Sequence, residues 1–307
     1  MTSSKRAVYD HVSESLDAYR EYFEAGGRRR DRLTNAYEYV RTFGPRDPDI
    51  SEASIEQDAD LWKAAPLDVH SRMFPYNGQK YTILLNNPGM VRRLSKFINR
   101  GEGRRLHDAG DDLERRSKIS AHYFSEYVDD HDGWKTFFDA LSEATSTVDV
   151  RSREEWRDYI QAEAAERYRE AEPDAPLRMN TSQGLYGDFY VTNAHKFSTP
   201  RSSHIWDSAL QTVASEYVTQ ELELVQPQTT FVMGGVAWQV FSDAVGPERL
   251  TPIGDSTLPD NFNQYRGGVF EYDGQYAVVI RHPGMMNKIG QSRLRDLFDR
   301  VAERNGL

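Results

Sequence analysis

Three short polar stretches carry the residue types that could bind and turn over a small polar ligand: Asn86-Asn87-Pro88-Gly89, Thr192-Asn193-Ala194-His195-Lys196 and His282-Pro283-Gly284. Each follows a run of apolar residues, with Ile83, Leu84 and Leu85 before the first and residues 189–192 and 276–280 leading to the others. Short apolar runs of this kind read as strands of a parallel sheet covered on both faces. The first turn offers two carboxamides, a proline of fixed φ and a glycine free to take φ > 0. Ligands of open α/β sheets bind beyond the carboxyl ends of the strands, so parallel strands would bring all three turns to one working edge. Beside the first turn, Arg92, Arg93, Lys96, Arg100, Arg104 and Arg105 face a single acid, Glu102. That local reversal of sign suits phosphate contacts, and a solvated helix face is the alternative.

The elements that must position these turns alternate between strand and helix. TTFVMGG, residues 229–235, supplies a further strand entering a turn at Gly234-Gly235, and a helix follows over 237–245. Upstream of it, a helix closed by Pro227 carries Leu210, Val213, Tyr217, Leu222 and Leu224 on its expected buried side. Residues 292–305 close the chain as an amphipathic helix with Leu294, Leu297, Phe298 and Val301 turned inward. This alternation predicts an α/β fold: three layers, α/β/α, around a short, mostly parallel central sheet. Nearer the N-terminus, Val8, Val12, Leu16, Tyr19 and Phe23 recur at helical spacing up to Ala25-Gly26-Gly27. A second helix is expected around Leu33, Tyr37, Val40 and Phe43, and a third after Ser51. A long charged helical region around Trp134, Phe137, Phe138 and Leu141 reads as core packing. The expected organisation is a helical N-terminal extension over 1–75 and one α/β domain over 76–307, with a helical insertion at about 106–180.

The chain has 307 residues, enough to bury a full core, and a formal net charge of -10. An acidic balance argues against a protein coated in positive potential, yet a nucleic-acid site needs only a local basic surface. With Cys 0 there is no disulfide, thiolate nucleophile, Cys-ligated zinc or Cys-ligated iron–sulfur cluster. No window approaches the run of about 18 apolar residues that a membrane helix needs, and the first 25 residues lack the apolar core of a signal peptide. A cytoplasmic protein without membrane contact is expected.

Over residues 187–307, through TNAHKF, the helix leading into ELELVQPQTTFVMGG and the strand closing on HPG, the sequence resembles the uracil-DNA glycosylase superfamily. At the first turn, NNPG looks like the Asn-Pro-Gly turn of the mismatch-specific uracil/thymine glycosylases. The resemblance implies a monofunctional hydrolase, acting as a monomer, that flips a uracil or other deaminated base out of DNA and cleaves its N-glycosidic bond without cofactor or metal. Asn87 matches the residue that positions the attacking water, with Asn86 beside it as the alternative and as a base contact. A carboxamide orients water but is not a strong base. Asn193 matches the base-reading asparagine, whose donor and acceptor complement O4 and N3–H of uracil. His282 matches the histidine that donates to O2 of the departing base. Met285 or Met286 would fill the gap left by the flipped nucleotide. Lys196, Lys288, Arg92 and Arg93 would meet DNA, and Phe189, Tyr186 or Phe124 would stack on the base.

Departures from the family pattern are the missing cluster cysteines, with Phe197 after Lys196, the missing acid in the first turn, and Gly284 after Pro283 where serine is usual. The other histidines, His195 included, read as structural. A catalytically silent nucleic-acid-binding module on the same fold is the competing reading. A nucleotide-binding α/β protein is a third, although neither GxxxxGK[ST] nor GxGxxG occurs.

Overall fold

The computed structural model describes residues 3–24, 76–86, 106, 108–117, 119–120, 132–144, 189–196, 208–262 and 264–307. Six strands form one sheet: β1 (Tyr81–Leu85), β2 (Phe189–Asn193), β3 (Thr229–Met233), β4 (Thr251–Ile253), β5 (Gly268–Tyr272) and β6 (Gln275–Ile280), in the order β2-β1-β3-β6-β5-β4. The first four in that order are parallel, with Leu85 opposite both Asn193 and Met233, and Met233 opposite Ile280. Their carboxyl ends therefore lie level at one edge. β5 and β4 continue the sheet antiparallel.

β5 and β6 are joined by Asp273-Gly274, both at positive φ (48° and 76°), the conformation a two-residue hairpin turn of right-handed twist demands. The expected alternation of strand and helix does not include this hairpin, although Asp-Gly between apolar runs is a hairpin signal.

Helices cover both faces. On one lie α2 (Asp132–Ala144) and α5 (Gln291–Ala302), which pack on each other and on Ile83, Phe189, Val191, Phe231 and Val278 of the sheet. Trp134, Phe137 and Phe138 of α2 fill this layer, with Phe137 edge-on to both Phe231 and Phe298 at 5.4 Å. The helical stripe expected to be core is thus core. On the other face, α3 (Ser208–Val225) and α4 (Gly235–Val245) set Ala214, Val218, Val240 and Phe241 against Leu84, Val232, Phe270 and Val279. α5 buries Leu294, Leu297, Phe298 and Val301, as its periodicity predicts.

α1 (Ser3–Glu24) packs beside α3, with Val8, Tyr9, Val12 and Leu16 around Tyr190 of β2. The second and third N-terminal helices of the sequence reading lie outside the described residues. On α3, Leu224 is expected on the buried side. Leu224 is 38% exposed and Glu221 is buried in its stead. An ion pair described below holds Glu221 there. No helix among the described residues is long and apolar enough to cross a membrane.

Candidate functional site

β1 connects to β2 on one side of itself, and β3 lies on its other side. The crevice at this reversal of strand order, beyond the ends of β1 and β3, is where open α/β sheets bind ligands. The turns around it are stitched together by backbone bonds. The Leu85 carbonyl accepts from the Ala194 N–H at 2.7 Å, the Asn86 carbonyl from the His195 N–H at 3.0 Å, and the Ile280 carbonyl from the Gly234 N–H at 2.9 Å.

Asn86 also reaches across to the start of α4, where its Oδ1 accepts from the Ala237 N–H at 3.0 Å. Helix starts leave N–H groups without intrahelical partners, and this one is met by a side chain from another strand. Gly234, at φ 110°, makes room for that contact: a Cβ there would stand 2.4 Å from Asn86 Oδ1. Gly234→Ala is therefore expected to destabilise the fold by about 2–4 kcal/mol, through backbone strain and loss of the Asn86 bond, as read by urea unfolding. Asn86 lines a cavity of about 650 Å³ together with Gly235, Trp238, Gln239, Asn261 and Phe262. Asn193 and His282 are not among its lining residues. The cavity and the three-turn constellation meet only at the β1 turn.

Asn193 is the last residue of β2 and only 3% exposed. Strand alternation puts its side chain on the face of Phe189 and Val191. Lys196, expected to meet DNA, is corrected by the structure: it is 2% exposed and in a buried ion pair with Glu221 of α3, Nζ to Oε2 2.6 Å. Nζ also donates to Thr192 Oγ1 at 2.6 Å and to the Asn193 carbonyl at 2.8 Å. Glu221 Oε1 accepts from the Tyr190 hydroxyl at 2.6 Å and from Thr192 Oγ1 at 2.9 Å. Burial raises the Glu221 pKa, but the Lys196 ammonium and these hydrogen bonds outweigh it, and the net shift is downward. An ammonium so enclosed has no reach to a phosphate. Sequence reading missed Glu221, because its partner is remote in the chain and a glutamate on a helix ordinarily faces water.

Phe189 is also corrected. It is fully buried among Tyr81, Phe231 and Phe138, with ring centroids 5.6, 5.9 and 6.3 Å away. It begins the strand that Asn193 ends, about 13 Å off at the rise of a β-strand, so it cannot stack on a base that Asn193 reads.

His282 is exposed and caps a 3-10 turn over Pro283–Lys288. Its Nδ1 accepts from the Gly284 N–H at 3.2 Å, so a neutral ring carries its proton on Nε2. Of the two methionines that follow, Met286 is fully buried in the layer of α2 and α5, which removes it as a DNA contact. Met285 is 38% exposed, and Lys288 is exposed. Asn87, Arg92 and Arg93 lie outside the described residues.

His195 is fully buried, its Nδ1 3.4 Å from the Tyr19 hydroxyl of α1. Burial, and then the Lys196 ammonium, lower its pKa from 6.5 to about 3. A folded pKa depressed in this way contributes stability above pH 6.5 that is lost as pH falls toward 3, at about 1.4 kcal/mol per pH unit. Between pH 6.5 and 5, above most carboxylate titrations, the urea midpoint is expected to fall in the wild type and to stay flatter in His195→Asn.

Among the described residues no three His, Asp or Glu side chains converge as a metal site. No curated protein matches the chain. A family model described as the uracil DNA glycosylase superfamily matches residues 117–304. That span takes in β2, β3 and β6 with their turns and begins after β1, which the sheet nonetheless seats between β2 and β3. On this match, and with the level edge of parallel strands that carries Asn193 and His282, the chain belongs to the uracil DNA glycosylase superfamily.

Proposed function

We propose that the protein is a monofunctional DNA glycosylase that hydrolyses the N-glycosidic bond of uracil, or of another deaminated base, in DNA. The observation that carries this reading is the placement of Asn193 and His282. Asn193 ends β2 and His282 lies just past β6, at one edge, with the ends of β1 and β3 between them. Three strand spacings, about 14 Å, separate β2 from β6 along that edge, the scale of a base with its sugar.

The target nucleotide is flipped out of the stack onto this edge. The Asn193 carboxamide pairs with O4 and N3–H of uracil and leaves cytosine with mismatched partners, a costly arrangement for buried polar groups. The His282 Nε2–H donates to O2, where negative charge collects as the bond from C1′ to N1 breaks. The bonding pair leaves with the base. Asn87 holds a water against C1′, whose oxygen forms the new bond. The water's proton passes to solvent, and the released base takes up a proton in turn. An amide cannot remove that proton early, so bond breaking runs ahead of attack, and the enzyme is slower than one with a carboxylate at this position. Met285 occupies the space the base has left, and Lys288 meets the backbone.

The test is base release from oligonucleotides containing uracil, in single strands and opposite guanine or adenine, across low to molar salt because phosphate contacts weaken with salt. The expected result is an abasic product from the wild type and none from Asn87→Ala. Tight binding without product on uracil, hypoxanthine or thymine mismatches would establish a silent binding module instead.

A further inference from the structure

β2 is an edge strand among the described residues, paired only with β1, yet it ends in Asn193. A side chain that discriminates bases by hydrogen-bond angle would sit on the strand least restrained by its sheet. The restraint comes from elsewhere. Lys196 Nζ directs its donors to Thr192 Oγ1, the Asn193 carbonyl and Glu221 Oε2, and Glu221 Oε1 takes Tyr190 and Thr192. Every strand residue held by this pair lies in the last four of β2. From the other side, α1 closes over the same segment. The fully buried Tyr19 hydroxyl bonds the Lys196 backbone and approaches His195 Nδ1, and His11 Nε2 ties α1 to the Tyr217 carbonyl of α3 at 2.8 Å.

Resting on the glycosylase reading, we propose that Lys196 and Glu221, braced by Tyr19, are positioning residues that hold the Asn193 carboxamide at one angle to the base. Buried ion pairs add little net stability over an apolar pair of similar shape, and their best-attested use is to fix one arrangement. Here the arrangement fixed is the end of β2. The proposal also gives the N-terminal helix, which lies before the family match, a part in base recognition.

The experiment compares wild type with K196M/E221Q, which removes both charges together and keeps an acceptor for Tyr190. Thermal melting, the Asn193 side-chain amide resonances and the kinetics of uracil release are read on each. The Asn193 signal is identified by its loss in Asn193→Asp. The expected result is a cooperative melt, a displaced or broadened Asn193 amide pair, and kcat lowered about 100-fold with KM little changed, the scale of an ångström's misplacement. An Asn193 amide pair that stays in place in the double variant would overturn the proposal. Because that readout is taken on free protein, it decides the matter even if the wild type releases no base, an outcome that would sink the glycosylase reading alone. Should the double variant not fold, Tyr19→Phe, which removes one hydroxyl, is read by the same amide pair and the same two outcomes.

Discussion

His282→Ala is expected to slow uracil release about 100- to 1000-fold with KM little changed, the loss seen when one donor to a developing oxyanion is removed. The base in the ground state carries little charge at O2, so the hydrogen bond strengthens only as the glycosidic bond breaks. Its loss belongs to kcat for that reason. The fold should be little affected, because the side chain is exposed and its capping bond to the Gly284 N–H is worth about 1 kcal/mol. Single-turnover kinetics with His282→Ala at saturating DNA, alongside a urea titration, separates the two effects. A variant that keeps the wild-type rate would remove His282 from the mechanism.

Glu221→Ala should have the largest effect on stability, about 3–5 kcal/mol, because it leaves the Lys196 ammonium buried without its counter-ion. Tyr190 and Thr192 lose their acceptor at the same time. Domains of this kind are stable by only about 5–15 kcal/mol, so the variant should melt about 6–20 °C lower or fail to fold. The folded pKa of Glu221 lies below its unfolded value. Its contribution is accordingly complete at neutral pH and is lost as pH falls through the acid range, so the difference between variant and wild type should narrow there. Equilibrium urea unfolding at pH 7 and pH 4 measures both quantities.

The strands that carry the turns were legible because each is a short apolar run closed by residues that cannot continue it. Val278, Val279 and Ile280 before Arg281-His282-Pro283 are an example. α5 was legible from its 3.6-residue spacing. The hairpin of β5 and β6 was equally written in the sequence, in Asp273-Gly274, and was passed over. Other features were not available to local reading. Lys196 at the end of a polar turn looks like a phosphate contact until Glu221, on a helix that follows, is brought against it by the fold. Met285 and Met286 are the same residue type in the same turn, and only the packing of α2 and α5 tells the buried one from the exposed one. Phe189 and Asn193 share a strand, and its length separates their surroundings.

The central place of β1 also bears on how the chain acquires its structure. β1 pairs with Phe189–Asn193 on one side and Thr229–Met233 on the other, segments that are synthesised long after it. Until both exist, an apolar YTILL strand has neither neighbour, and α1 waits equally for β2 and α3. Pairing across such long stretches of chain pays loop-closure entropy before it gains contacts, which makes assembly of the sheet slow and late. A chain cut at residue 117 would keep β2 and β3 and lack the strand between them, leaving two exposed edges where the native sheet has none. In the nascent protein β1 likewise has no partner at either edge until β2 and β3 have been made.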